Sequence, residues 1–241
     1  MEGYYVVSSE TYVIASIILA VMPAMVLLTY YAGKDKGEKE PKPLMRKAFF
    51  WGILAIIPVI IAEFLLFKGF ALITQNTYLI AFVTPFILIA LPEELAKFAV
   101  VKRIAYNHPK FNEVMDGITY TILASMGFAV FENLSYTYQY GMDIALMRSI
   151  TAVPAHALFS GIMGYYIGYA KFIPDKKKSR NTLIKGLIAG IFLHGLYDFL
   201  VMSGISALVL MVFPLLLYMW YVLDKGIRLA HKDKPVPLKY I

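Results

Sequence analysis

Leu91-Pro92-Glu93-Glu94-Leu95-Ala96-Lys97 sets two adjacent carboxylates and an ammonium directly behind the apolar run 78–90. That run has the length and composition of a helix inside a bilayer. Each charge at a bilayer centre costs about 2.5–3.5 kcal/mol on insertion scales. A helix carrying three of them needs compensating partners or water. Partners are present in other apolar segments: Glu132 with Asn133, His156, and His194 with Asp198. The chain reads as a scaffold that brings these groups together.

Composition supports a membrane setting. Of 241 residues, 59% are hydrophobic and only 16% are charged, against about 25% charged in soluble domains. Mean hydropathy is +0.65. A spanning helix needs about 20 mostly apolar residues, and seven segments qualify: 12–31, 48–67, 77–101, 116–138, 144–172, 181–202 and 205–223. The expected fold is an all-α bundle of about seven transmembrane helices in one integral membrane domain over 1–241. The first eleven residues lack a basic n-region and a small-residue cleavage site, so the first apolar segment is expected to be retained.

All but three of the 23 Lys and Arg residues fall in the connections after the first, third and fifth segments or in the tail. The exceptions are Lys68, Arg148 and Lys97. The positive-inside rule then predicts an outside N-terminus and a cytoplasmic C-terminus. The same distribution accounts for the net charge of +7 as topology and excludes nucleic acid as the partner. There is no cysteine, hence no disulfide, thiolate nucleophile or thiolate metal ligand.

Spacing arranges the polar groups. Glu93 and Lys97, four apart, can pair on one helix face; Glu94 lies about 100° round and can face elsewhere. One carboxylate would be held by Lys97 while Glu94, or whichever is left unpaired, stays basic. Gly190, His194 and Asp198 share one stripe, and Asp198 can orient the histidine or share a ligand with it. Ser160, Gly164 and Gly168 repeat every four residues, as do Gly186 and Gly190, which marks close helix packing. At 1.5 Å per residue, Glu94 lies roughly 15 Å from the cytoplasmic end of its helix, and Glu132, His156, His194 and Asp198 roughly 20–26 Å from theirs. They fall in one layer. Glu63 near the outer end of the second segment is expected to pair locally with Lys68 or to snorkel. Glu113 and Asp116 suit a helix N-terminus. The polar loop 33–43, with two prolines, is expected to be extended.

Glu93-Glu94-x-x-Lys97, Phe128-x-x-x-Glu132-Asn133, His156-x-x-Phe159-Ser160 and His194-x-x-x-Asp198 together resemble the motifs of the PrsW family of intramembrane proteases. These are distantly related to the CAAX prenyl endopeptidase and bacteriocin-processing membrane proteins. The likeness extends to Glu38-x-Glu40-Pro41 and Asp116-Gly117-Ile118. The prenyl-protease pattern has an arginine one place beyond Lys97 and a histidine where Glu132 stands, which disfavours prenyl-peptide processing here. The resemblance implies a multi-pass protein of the cell membrane that makes the first, extracytoplasmic cut in a single-pass anti-sigma factor.

Two hydrolytic chemistries fit the residue types. In one, Glu132, His156 and His194, with Asp198 as an optional fourth ligand, hold zinc, and Glu94 is the general base. Three protein ligands plus a water is the usual catalytic zinc arrangement, and its water has a pKa near 7. In the other, Glu94 or Glu132 activates water without metal, and His194 or Asn133 stabilises the oxyanion. A third reading, from another class, is a proton- or cation-coupled transporter, since intramembrane carboxylates and histidines also line ion paths. A fourth is an inactive scaffold that sequesters membrane partners.

Overall fold

The computed structural model describes residues 9–232. The expectations for the first residues, and the tail lysines Lys234 and Lys239, lie outside them. The regular elements of the described residues are all helices, with no strand among them. Seven helical spans are long and apolar enough to cross a membrane: Thr11–Lys34, Lys42–Ile73, Thr77–Ile104, Val114–Tyr140, Met142–Lys171, Lys176–Met202 and Ser206–Ala230. Most begin or end several residues beyond the apolar windows read from sequence. The windows end where apolar residues give out, whereas the helix continues while long basic side chains reach the interface.

Four spans are interrupted, and proline explains where. The second is α2 (Lys42–Leu54) and α3 (Ile56–Ile73); the fifth is α7 (Met142–Ile150) and α8 (Ala152–Lys171); the seventh is α10 (Ser206–Leu210) and α11 (Val212–Ala230). The first piece ends at Leu54, Ile150 and Leu210, each four residues before Pro58, Pro154 and Pro214. A proline ring collides with the carbonyl four residues back and offers it no N–H. In the third span, α4 (Thr77–Val83) passes into a π-helical turn, Thr84–Ala90, before α5 (Leu91–Ile104). Pro85 lies in the first positions of that wide turn and Pro92 just after it. Such turns are rare and concentrate at functional sites; this one delivers Glu93 and Glu94 to the bundle interior.

At the centre lie α6 (Val114–Tyr140) and α8, the most enclosed spans. Their backbones touch. A Cβ on Gly117 would come within 2.4 Å of the Gly164 carbonyl oxygen, and one on Gly168 within 2.1 Å of the Val114 carbonyl oxygen. Only glycine permits that approach, so the small-residue spacing of α8 is a contact with α6. α9 (Lys176–Met202) packs against α8 and the π turn, and α1 (Ser9–Lys34) and α11 close the outside. Asp116 caps α6, its Oδ2 accepting from the backbone N–H groups of Asn112 and Glu113 at 2.6 and 2.8 Å. The non-helical loop is 35–41, shorter than the expected 33–43, because α1 runs on to Lys34 and α2 begins at Lys42.

Candidate active site

Lys97 is the hub. Its side chain is fully enclosed, and its Nζ donates to Glu94 Oε1 at 2.7 Å, Glu93 Oε2 at 3.0 Å and His156 Nδ1 at 3.0 Å. Three donors meet three acceptors. The rings of Phe128 and Phe159 lie 4.5 and 5.3 Å from the ammonium, adding attraction from their faces. The expected Glu93–Lys97 pair is present, and Lys97 also holds Glu94.

The two carboxylates nonetheless face different surroundings. Glu94 has no exposed surface, and its oxygens are engaged: Oε1 faces Lys97 and His194 Nδ1 (3.0 Å), and Oε2 accepts from the Ser160 hydroxyl at 3.2 Å. Gly190 leaves room for it, since a Cβ there would sit 3.4 Å from Glu94 Oε2. Glu93 instead lines a cavity of about 410 Å³.

Glu132, His156, His194, Asp198 and Arg148 line the same cavity, and apolar side chains from α7, α9, α10 and α11 complete it. His194 is stacked on Phe159 at 4.4 Å. Its Nε2 points at Asp198 Oδ2 (3.3 Å) and lies 4.0 Å from Glu93 Oε2. His156 Nε2 lies 2.9 Å from Glu132 Oε2. Yet Glu132 Oε2 and Asp198 Oδ2 are both buried without a well-aligned hydrogen bond. Two orphaned anionic oxygens beside two imidazole nitrogens form a surrounding that a cation would satisfy.

Among the described residues, Glu93, His156 and His194 offer ligand atoms all within 4.8 Å of one another. This set has Glu93 where the sequence expectation has Glu132, which sits at the edge beside His156. Nitrogen and carboxylate donors without thiolate suit zinc. Lys97 adds one constraint. An ammonium only donates, so His156 Nδ1 accepts and the ring proton sits on Nε2. A metal at Nε2 requires that proton to move or leave.

Asn133 does not line this cavity. Its Nδ2 donates to the Leu19 carbonyl at 3.2 Å, and its Oδ1 accepts from Arg148 Nε at 3.1 Å. Arg148 is the polar member that sequence reading counted only as an outer-side charge within the segment 144–172. It pairs with Glu132 Oε1 at 2.8 Å and lies 3.8 Å from the Tyr136 ring centre. Its spacing from Pro154, which ends α7 at Ile150, was the available signal. The expected Glu63–Lys68 pair is not among the described ion pairs; Lys68 lies over the Phe64 ring at 4.3 Å.

Known proteins resemble this chain over most of its length. The description "PrsW family intramembrane metalloprotease" matches residues 40–223. A Bacillus subtilis protein named Protease PrsW is 30% identical over 94% of this chain and 99% of its own length. Proteins of that name from Geobacillus kaustophilus and Clostridioides difficile are 37% and 30% identical, over 76% and 91% of this chain and 78% and 93% of theirs. No solved structure matches the chain.

Proposed function

The chain belongs to the PrsW family of intramembrane metalloproteases, and from that premise we propose how its residues cut a membrane-anchored substrate. It is a multi-pass membrane hydrolase acting on peptide bonds, which decides between the protease and transporter readings. The observation that carries the mechanism is the convergence of Glu93, Glu132, His156, His194 and Asp198, from four spans, on one cavity.

Glu93, His156 and His194 would hold zinc, with Asp198 at its edge. When bound, zinc supplies a Lewis acid that polarises the scissile carbonyl and makes water more acidic. The chain's own groups do the rest. Glu94 accepts from His194 Nδ1 and so presents Nε2 to the cavity, the usual task of a carboxylate behind a histidine ligand. Lys97 offsets part of the charge of Glu93 and Glu94 in a medium where bare charge is costly. Glu132 Oε2, buried beside His156 with no aligned donor, takes the proton of the attacking water. It then returns that proton to the leaving amine nitrogen. This assigns Glu94 to orientation and Glu132 to proton transfer, because the oxygens of Glu94 are already engaged.

A specific contact favours a second reading. The donation from Lys97 to His156 Nδ1 leaves the proton on Nε2, as a metal-free mechanism would have it. Glu93 would then activate water.

The substrate is a single-pass membrane protein with a short extracytoplasmic part, of the anti-sigma factor type. The cavity lies at the bundle end that carries Gly141 and Ser203-Gly204. The basic connections put that end outside, with the C-terminus cytoplasmic. The apolar cavity wall suits a segment drawn from the bilayer. Quantitative mapping of new N-termini in membranes expressing the protein, against Glu93→Gln, tests this. New termini at the outer boundary of single-pass proteins are expected only with the unaltered protein. Identical maps would refute it.

A further inference from the structure

Hydrolysis of a peptide bond places negative charge on the carbonyl oxygen, and the donors expected to receive it are engaged elsewhere. Asn133 Nδ2 is bonded to Leu19. His194 faces Glu94 with one nitrogen and Asp198 with the other. The Tyr197 hydroxyl donates to Thr151. The charged donor remaining on the cavity wall is Arg148.

We propose that Arg148 is a catalytic residue whose guanidinium receives the developing oxyanion of the scissile bond; this rests on the protease reading above. A guanidinium has five N–H donors in a planar fork. Nε–H is bonded to Asn133 and one terminal nitrogen to Glu132. Among the described residues the other terminal nitrogen has no hydrogen-bond partner, and the side chain, 16% exposed, lines the cavity. The occupied donors orient the group: Asn133 is itself anchored to α1, Glu132 sits on α6, and the Tyr136 ring lies beneath the guanidinium. Pre-oriented donors stabilise a transition state without reorganising. The same arginine bonds Glu132, so the proton acceptor and the oxyanion donor are tied at a fixed separation. α7 brings Arg148 into place as a separate short helix, between Gly141 at φ +86° and the break before Ala152.

The test uses the full-length protein in bilayers and a single-pass reporter with a short ectodomain, carrying a junction found by terminus mapping. Arg148→Ala is expected to lower kcat about 10²–10³-fold, the cost of one oxyanion donor, with KM little changed. Bound zinc per chain should stay at the wild-type value, and added guanidinium ion should restore part of kcat. Arg148→Lys keeps a cation for Glu132 but loses the fork, so its kcat should also fall at least about tenfold. If Arg148→Ala does not fold, Arg148→Lys decides. Wild-type rates in Arg148→Lys overturn the proposal. Parallel loss of zinc and cleavage in Arg148→Ala, without guanidinium rescue, also overturns it and makes Arg148 a support of the metal site. A wild-type protein that fails to cut the reporter removes both the protease reading and this proposal, whereas cleavage by wild type but not by Glu93→Gln keeps the former whatever Arg148 does.

Discussion

Two carboxylate clusters occupy opposite ends of this bundle, and they differ in what their oxygens do. At the end near loop 35–41, Glu38 accepts from Lys110 and Asn112, and Asp116 accepts from two backbone N–H groups. Glu40 accepts from the Tyr120 hydroxyl. These groups fasten a loop to the start of α6 and have donors to match. In the bundle interior, Glu132 and Asp198 keep buried oxygens without an aligned donor, and Glu93 opens on a cavity. A buried anionic oxygen without a donor is costly. Its retention beside two histidines is what the proposed chemistry would use, where the matched cluster fastens a loop.

The largest break in that contrast should come from Glu93→Gln, which removes charge and ligand from the cavity without changing shape. Reporter cleavage is expected to fall about 10³-fold or more; an active Glu93→Gln protein would strip the interior cluster of its role. Next is Lys97→Met. It leaves Glu93 and Glu94 buried without their cation, and breaking a buried ion pair costs about 3–5 kcal/mol. Thermal unfolding in detergent should show a large drop in Tm, while an unchanged Tm would mean the hub carries no stability. Glu94→Gln should weaken metal affinity by about 10–100-fold, the usual effect of losing a histidine's supporting carboxylate, read by competition with a chelator. Full loss of metal instead would make Glu94 a direct ligand.

The smallest effect on cleavage belongs to the loop cluster. Burial, then the hydrogen bond to Asp116, raises the Glu40 carboxyl from 4.5 to about 8. The folded protein therefore binds this proton more tightly than the unfolded chain, and stability declines as pH rises from about 4.5 to 8. Glu40→Gln should flatten that part of a Tm–pH curve and leave cleavage within about twofold at neutral pH, since Glu40 does not line the cavity. A larger loss of cleavage would tie the loop to the site.

Much of this was legible in the sequence. Hydropathy located all seven spans, and depth counting put Glu94, Glu132, His156, His194 and Asp198 in one layer, of which the cavity holds all but the enclosed Glu94. The Gly164–Gly168 spacing marked the α6–α8 contact. What escaped was three-dimensional. Periodicity places Glu93 and Glu94 on different faces but does not reveal that one ammonium bonds both. The π turn at Thr84–Ala90 rotates that stretch, and a 3.6-residue period hides it. Arg148 was counted only as a basic residue on the outer side, although the window 144–172 contains it. Pro154 separates α7 as its own helix, and its inward face carries the arginine to Glu132.

The account turns on a metal held by groups that Lys97 also contacts. Purification in detergent without added metal, then zinc per chain in wild type and His156→Ala, tests it most directly. The account predicts close to one zinc in the first and close to none in the second. No zinc in either protein, in a preparation that cuts at full rate after exhaustive chelation, would contradict it and leave water activation to Glu93.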